Sequence, residues 1–270
     1  MPELPEVETI RRVLEPALVG ARIEDIVLYD PSIAGADGAE SLRPALGATV
    51  RAVLRRGKHL ILLLNGNRGL VLHLRMTGAV FLDNAPVGGR VRAELSFSNG
   101  KKLSFNDIRR LGTMRLYEDL KPLLLRLGPE PLDVDFTADA LEQSLRRHHI
   151  PIKAALLDQH IVAGVGNMYA DEALFEAGIH PLTPADTLSH EDVVRLKRAI
   201  EVVLEHAIAR QGASIDTYWL PTGERGSAHN SFRVAHRKDA PCAGCGTPIE
   251  RLMIRKRGAY FCPKCQSLRT

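Results

Sequence analysis

The opening of the chain has the hydrophobic pattern of an amphipathic helix. Apolar residues recur at three- and four-residue steps, which place them on one helical face. These positions are Leu4, Val7, Ile10, Leu14 and Leu18. Acidic residues in the first turns favour a helix start, because the helix dipole stabilises anions there. The pattern predicts a leading helix that ends at Gly20.

From residue 22 to about residue 118 the pattern changes to that of β-strands. Runs rich in leucine and β-branched residues alternate with Gly, Asn or Asp. The clearest predicted strands cover 22–29, 49–54, 59–64, 70–74 and 92–97. Between two alternating runs, Ser98-Asn99-Gly100-Lys101 predicts a hairpin. We therefore predict an α+β multidomain protein whose first domain, 1–127, is an antiparallel β-sandwich with a leading helix.

Two prolines and no periodicity indicate an interdomain linker at 128–133. Helical periodicity then returns, and we predict a helical domain over 134–225. Its candidate helices are 137–147, 152–159, 168–177 and 189–210. The last opens with Ser189 as a candidate cap and Asp192 three residues later. Between Gly212 and Val234 the weak pattern predicts a mobile loop, which includes 226–233, before a final module at 234–270.

Composition and charge narrow the class of protein. With 45% hydrophobic and 25% charged residues the chain is typical of a globular protein. No apolar run approaches the roughly 18 residues of a membrane span, and the acidic amino terminus is unlike a signal peptide. We therefore expect a cytoplasmic protein without a membrane partner. From Arg225 to Thr270 ten lysines or arginines face two acids, a net +8 against +4 for the whole chain. Such a block favours a polyanionic partner, with a solvated charged tail as the alternative.

All four cysteines lie in two Cys-x-x-Cys pairs: Cys242, Cys245, Cys262 and Cys265. This spacing is typical of a tetrahedral Zn²⁺ site, and four thiolates leave the metal no open position. We therefore predict one structural Zn²⁺. Two disulfides are the alternative, which a cytosolic location disfavours. Apolar and basic residues alternate between the pairs, which predicts a two-stranded ribbon suited to a phosphate backbone.

Met1-Pro2 at the start of the chain suggests a nucleophile. Removal of methionine before a small residue would expose a secondary amine, and α-amino groups titrate near about 8. Such an amine could attack the anomeric carbon of a deoxyribose, expel the base and form an iminium, while the Glu3 carboxylate moves protons. The iminium would then promote elimination of the phosphates. The alternative is a plain helix start, where proline needs no N–H.

Met1-Pro-Glu-Leu-Pro-Glu-Val-Glu8 and the four-cysteine tail together resemble the bacterial formamidopyrimidine-DNA glycosylase family. Further stretches resemble it in order along the whole chain. They are Arg56-Gly-Lys-His59, His73-Leu-Arg-Met-Thr-Gly78, Asp107-Ile-Arg-Arg110, Gly128-Pro-Glu-Pro-Leu132, Ile152-Lys153 and Gly164-Val-Gly-Asn-Met-Tyr-Ala-Asp-Glu172. The resemblance implies a β-sandwich, a helix-two-turn-helix domain and a zinc finger. It also implies a base excision repair enzyme, a glycosylase and lyase that removes 8-oxoguanine and formamidopyrimidines from double-stranded DNA.

The resemblance also implies roles for residues of the reaction centre. Pro2 becomes the Schiff-base nucleophile and Glu3 the proton donor, with Glu6 nearby in the pocket. Lys58 would serve β-elimination and Arg257 δ-elimination. Each of the last two has a plain alternative: Lys58 could be solvated in a loop, and Arg257 could be only a phosphate contact.

Contacts to DNA follow from the same resemblance. Met76, Arg109 and Leu111 would fill the space left by an extruded nucleotide. Phosphate contacts would come from Arg147, Lys153 and Asn167, and Asn167 could also be a plain helix cap. We expect the protein to act as a monomer, because one nucleotide is extruded and no dimer seam is visible.

Some positions depart from the family's pattern and leave the lesion preference open. Leu111 stands where phenylalanine is common, Gly88 where a DNA-contacting histidine is expected, and His236 where Val-Tyr-Gly-Arg usually has glycine. The segment 222–231 also differs from the usual damaged-purine loop. Two alternatives therefore stay open: a related endonuclease that prefers oxidised pyrimidines, and a catalytically silent zinc-finger DNA-binding protein.

Overall fold

The structure is a computed structural model that describes residues 1–35, 38–83 and 90–268. The chain forms two compact units. The first contains Met1–Leu125 and Ile208–His229, and the second contains Arg126–Ala207 and Asn230–Thr270. Residues 208–225, which we predicted within the second domain, therefore pack with the first.

The leading helix, α1, spans Leu4–Leu18 and confirms the helical periodicity. Pro2 lies before it, and Pro5 occupies the first turn, where a missing N–H costs nothing. The apolar face of α1 is buried in the core of the first unit. Beyond it, Gly20 has φ +87°, a left-handed conformation that glycine adopts without strain.

Eight strands form two antiparallel four-stranded sheets in the first unit. They are β1 (Ile23–Leu28), β2 (Val50–Arg56), β3 (His59–Leu64), β4 (Gly69–His73), β5 (Gly78–Leu82), β6 (Val91–Phe97), β7 (Lys102–Asp107) and β8 (Thr113–Tyr117). The strand orders are β1-β6-β7-β5 and β2-β3-β4-β8. The predicted sandwich and the β6–β7 hairpin are confirmed. We did not predict β5 or β8, which are only five residues long each.

Residues 212–221 contribute to the core of this unit. Tyr218 and Leu220 are 4% and 1% exposed and belong to the same cluster as the sheets and α1. The N–H of Leu82 donates to the carbonyl of Pro221 at 2.9 Å. The prediction of a mobile loop is therefore wrong for this segment, because its few apolar side chains are packed rather than solvated.

The helices that follow the sandwich are α2 (Lys121–Leu124), α3 (Ala138–Leu145), α4 (Ile152–Leu156), α5 (Asn167–Ala177) and α6 (His190–Ala209). The predicted cap of α6 is confirmed: Asp192 N–H donates to Ser189 Oγ at 3.2 Å, and Ser189 N–H donates to Asp192 Oδ2 at 3.2 Å. The α4 helix ends three residues earlier than predicted. No helix in the described part of the chain is long and apolar enough to cross a membrane.

The predicted interdomain linker, 128–133, is packed into the second unit. Gly128 N–H donates to the Gln159 carbonyl at 2.8 Å, and the Pro129 carbonyl accepts from Ala163 N–H at 3.0 Å. A Cβ on Gly128 would lie 2.5 Å from the carbonyl oxygen of His160. This segment is therefore packed into the second unit and is not an exposed connection, and the glycine permits close backbone approach.

The ribbon in the final module is confirmed as β9 (Glu250–Ile254) and β10 (Arg257–Phe261), paired antiparallel. Arg255 and Lys256 connect the strands with φ of 45° and 64°. Two successive positive φ values are the signature of a type I′ turn, which matches the twist of a hairpin.

Candidate active site and zinc centre

The Glu6 carboxylate organises the amino terminus. It is fully buried in the first turn of α1. Its Oε2 accepts the Glu3 N–H at 2.7 Å, and its Oε1 accepts the Ala213 N–H at 2.8 Å. Pro2 is also buried, and Glu3 is 2% exposed. Glu6 therefore fixes the position of Pro2 and Glu3 relative to residues 212–213.

Two residues that we did not predict as part of this site pack against Glu6. Gly212 has φ +79°, and a Cβ there would lie 2.9 Å from Cγ of Glu6. Tyr218 donates its hydroxyl to the Glu6 carbonyl at 3.5 Å. Burial raises the pKa of Tyr218, and the Glu6 charge acts in the same direction, so this phenol stays protonated. The only signal in the sequence was Gly212, which we interpreted as the end of a helix.

Lys58 lies in the turn between β2 and β3 and is 7% exposed. The alternative of a solvated loop lysine is therefore wrong. Arg55 holds this turn: it donates to the Gly57 carbonyl at 3.2 Å and to Glu8 Oε2 at 3.2 Å. Because Glu8 belongs to α1, the turn that carries Lys58 is tied to the helix that follows Pro2.

Glu8 lies at the centre of a cluster of arginine side chains. Arg11 and Arg12 donate to its carboxylate at 3.0 and 2.8 Å. Burial alone would raise the pKa of Glu8, but these hydrogen bonds and the charge of Arg55 hold it below its usual value. Glu8 therefore stays ionised and pairs with three arginines near the amino terminus.

A neutral imidazole lies near Lys58. Burial lowers the pKa of His73 to about 3, and the neighbouring His59, Arg75 and Lys58 act in the same direction. Its Nδ1 accepts the Arg75 N–H at 3.1 Å, and its ring meets that of His59 edge-on at 4.7 Å. We did not assign His73 a role, although it begins one of the stretches that carried the resemblance.

Asp107 shapes the loop that carries Arg109 and Leu111. This fully buried carboxylate accepts the N–H groups of Arg109 at 3.1 Å, Leu111 at 2.8 Å and Gly112 at 2.6 Å. Because the backbone is held from inside, the Arg109 and Leu111 side chains are exposed, Leu111 by 43%.

Met76 belongs to the same cluster. The hydroxyl of the next residue, Thr77, donates to Asp107, and the Met76 carbonyl accepts from Thr217 Oγ1 at 3.1 Å. The Met76 side chain is 43% exposed, so it is not a core residue. The structure therefore brings together the three residues that we predicted to fill the space of an extruded nucleotide.

In the second unit, Asn167 is the first residue of α5 and follows Gly166. Its Oδ1 is buried and has no hydrogen-bond partner among the residues that the structure describes. Arg147 is exposed just after α3. Both positions are compatible with the predicted phosphate contacts.

Lys153 requires a correction. Its side chain is fully buried, with Nζ 2.7 Å from Asp171 Oδ1 and donating to the Gly258 carbonyl at 2.6 Å. Burial raises the pKa of Asp171 to about 7, although Lys153 opposes the shift. Lys153 therefore links α4 and α5 to β10 in this structure, and its burial contradicts the predicted phosphate contact.

Arg257 begins β10, directly after the type I′ turn, and is exposed. Its backbone pairs with Ile254. The neighbouring Gly258 carbonyl accepts from Lys153, so the turn end of the hairpin is fixed, while the Arg257 side chain is exposed.

The four cysteine Sγ atoms lie within 4.8 Å of one another. Cys242 and Cys265 are 3.9 Å apart, and Cys245 and Cys262 are 3.5 Å apart. A tetrahedron with Zn–S bonds near 2.3 Å has edges of about 3.8 Å, so the donor set fits one structural Zn²⁺. The disulfide alternative is wrong, because all four cysteines are free.

The zinc module shares a core with α5. Gln266 accepts the Cys262 N–H at 2.9 Å and donates to the Ile179 carbonyl at 2.9 Å. Phe175 packs in the cluster that contains Cys242 and Cys262. The metal site is therefore coupled to the helix that begins at Asn167.

Three family models match the chain in order. They describe a formamidopyrimidine-DNA glycosylase N-terminal domain at 1–114, a formamidopyrimidine-DNA glycosylase H2TH domain at 127–218, and a zinc finger found in FPG and IleRS at 240–268. These domains and the site define the class: a DNA glycosylase of base excision repair with a structural zinc finger.

Relatives and solved structures are similar to this chain along nearly its whole length. The formamidopyrimidine-DNA glycosylase of Geobacillus kaustophilus is 41% identical over 98% of this chain and 100% of that protein. The MutM (FPG) crystal structure from Thermus thermophilus has a TM-score of 0.90 at 40% identity, with 100% of both chains covered. A Lactococcus lactis FPG mutant in complex with a Fapy-dG containing DNA has a TM-score of 0.91 at 35% identity, covering 99% of this chain and 100% of that one. The chain belongs to the formamidopyrimidine-DNA glycosylase family, whose members combine glycosylase and abasic-site lyase activities.

Proposed function

We propose that this chain excises oxidised purines, 8-oxoguanine and formamidopyrimidines, from double-stranded DNA through a Schiff base on Pro2, and then nicks the strand. The Glu6 carboxylate carries the proposal, because it holds the backbone of Glu3, next to the nucleophile, at 2.7 Å. The complex of the Lactococcus lactis relative with Fapy-dG containing DNA supports the choice of substrate.

In the first step, removal of Met1 turns the Pro2 amide nitrogen into a secondary amine. The amine forms a bond to C1′ of the damaged nucleotide, and the bond between C1′ and the base breaks, with the electron pair leaving on the base. Glu3 protonates the sugar ring oxygen, which leaves C1′ as the ring opens to an iminium. The proton lost by the amine passes through water to the departing base, so the base leaves neutral and the Glu3 carboxylate remains beside the iminium cation.

The iminium then makes the C2′ proton acidic. Loss of that proton to the Glu3 carboxylate or to water forms a double bond and expels the 3′ phosphate, a β-elimination that we assign to Lys58. A second elimination expels the 5′ phosphate, and we assign this δ-elimination to Arg257. The cationic side chains of Lys58 and Arg257 favour the two eliminations, because negative charge develops on each departing phosphate.

Binding uses the remaining predicted residues. Met76 and Leu111 fill the space left by the extruded nucleotide, and Arg109 bonds to the abandoned base. Arg147 and Asn167 contact phosphates, the latter at the positive end of α5. We also propose that the enzyme acts as a monomer in the cytoplasm.

Borohydride trapping tests the proposal. On an abasic-site duplex we expect a covalent complex with the wild-type chain and strongly reduced trapping with Pro2→Gly, because a flexible glycine amine is no longer held in place. Pro16→Ala, an exposed proline replacement in the same helix, is the matched control and should trap normally. No adduct with the wild-type chain would favour a silent DNA-binding protein.

A lesion panel tests the substrate. Duplexes with 8-oxoguanine opposite cytosine should be cleaved faster than duplexes with thymine glycol. The reverse preference would support an enzyme for oxidised pyrimidines and would make the substitutions at Leu111 and 222–231 the cause. Gly88, the other departure, lies outside the described residues.

A further inference from the structure

His236 has a left-handed backbone conformation beside the zinc module. Its φ is +61°, in the left-handed region, and its side chain is exposed. A non-glycine residue adopts this conformation at a cost, and such strain is concentrated at functional positions. Glycine would adopt this conformation without that cost.

The preceding backbone leaves His236 little freedom to relax. The Glu172 carboxylate, 5% exposed, accepts three consecutive N–H groups, those of Arg233 at 2.9 Å, Val234 at 2.9 Å and Ala235 at 2.8 Å. Three charge-assisted hydrogen bonds from one buried acceptor fix this segment to α5. The left-handed turn at His236 is therefore imposed by its surroundings.

The imidazole is held against the hairpin. Its ring centre lies 5.6 Å from that of Tyr260 on β10, with 31° between the ring planes. The Arg251 guanidinium lies 5.8 Å from the centre of the same Tyr260 ring. The exposed His236 and Arg251 side chains thus both lie beside the half-buried Tyr260 ring.

The charge of the surrounding segment indicates the ligand. Arg237 and Lys238 follow His236 directly, and the region from Arg225 to the end of the chain has a net charge of +8. An exposed imidazole held against the hairpin in a cationic segment suits a phosphate oxygen. We propose that His236 donates from its imidazole to a DNA backbone phosphate, a contact particular to this chain that rests on the proposed DNA-repair function.

The test measures the Kd for a duplex that contains a tetrahydrofuran abasic analogue, which binds without cleavage. His236→Asn keeps a residue that tolerates the left-handed region, and His236→Gly removes the strain as well. For both we expect affinity to fall about three- to tenfold, the range of one hydrogen bond. Asn67→Gly, at an exposed left-handed position with φ +62° in the β3–β4 turn, is the matched control.

The measured affinities show whether the His236 side chain contacts the duplex. The proposal requires both His236 variants to bind the duplex more weakly while one zinc stays bound, and Asn67→Gly to leave binding unchanged. Wild-type affinity in both His236 variants, with one zinc still bound, would overturn it. Failure of the wild-type chain to bind this duplex would instead contradict the proposed function, so the two failures are distinguishable.

Discussion

Buried carboxylates hold functional segments in both units, but the two units support them differently. Glu6 in α1 accepts N–H groups from Glu3 and Ala213, and Glu172 in α5 accepts three consecutive N–H groups from 233–235. In the first unit a large sandwich core surrounds the carboxylate. The small hairpin of the second unit adds a metal and the buried Lys153–Asp171 pair. A segment too small to bury its own core needs such additional bonds.

Loss of the zinc ion should have the largest effect, because the ion stabilises the small hairpin of the second unit. We expect Cys262→Ser to abolish zinc binding and weaken DNA binding by at least about 100-fold, because structural Zn²⁺ contributes about 10–16 kcal/mol in zinc-finger peptides. Zinc content and duplex affinity are the measurements. Chelation followed by zinc replacement is the control and should restore affinity. Full affinity in the metal-free protein would contradict the role of this module.

Lys153→Met should break the ion pair while keeping a long apolar side chain. The unpaired Asp171 should cost about 3–5 kcal/mol in the free energy of unfolding. Because the folded state keeps a proton on Asp171 to higher pH than the unfolded chain, stability falls as the pH rises from about 4 to about 7. The deficit of the variant should therefore be smaller at pH 5 than at pH 8, as measured by denaturant unfolding.

A double variant provides the control. Lys153→Met with Asp171→Leu replaces both charges with apolar groups, and it should recover much of the lost stability. A double variant that is no more stable than Lys153→Met would show that the charge pair is not the cause.

Gly212→Ala tests the support of the amino terminus. We expect a loss of about 1–3 kcal/mol, from the left-handed backbone and from the Cβ 2.9 Å from Glu6 Cγ, together with weaker borohydride trapping. Gly20→Ala is the matched control, because Gly20 also has a positive φ but a Cβ there would meet nothing within 4 Å. Equal effects of both variants on trapping would contradict a specific role for the Gly212–Glu6 contact.

Glu8→Gln should have the smallest effect, about 1 kcal/mol at pH 7, because Arg11 and Arg12 are partly exposed and only its third partner, Arg55, is nearly buried. The folded pKa of Glu8 is lowered, so its contribution is present above the ordinary pKa of 4.5 and is lost as the pH falls through the folded value. Acid unfolding curves of wild type and variant should therefore converge at low pH. A difference in stability between wild type and variant that stays constant down to the lowest pH would contradict the proposed titration of Glu8.

Local patterns allowed most of the elements to be predicted. The spacing of Leu4 to Leu18, the Asn99-Gly100 turn, the Ser189 cap and the cysteine pairs each depend on residues close in sequence. The same patterns led to the predictions for the cysteine metal site and for a sandwich followed by helices.

Contacts between distant residues explain what the sequence did not reveal. A lysine beside histidines suggested an exposed cation, but Lys153 is neutralised by Asp171, eighteen residues later, and by a carbonyl of β10. Likewise, the weak periodicity of 212–221 gave no sign that Tyr218 and Leu220 enter the core of the first unit. In both cases long-range packing determined the environment of the residue.

Mass spectrometry of the borohydride-trapped complex tests the Schiff-base mechanism most directly. The account predicts that the sugar remnant is attached to the nitrogen of Pro2 in a peptide that has lost Met1. Attachment to a lysine, or full activity in protein that retains Met1, would contradict it.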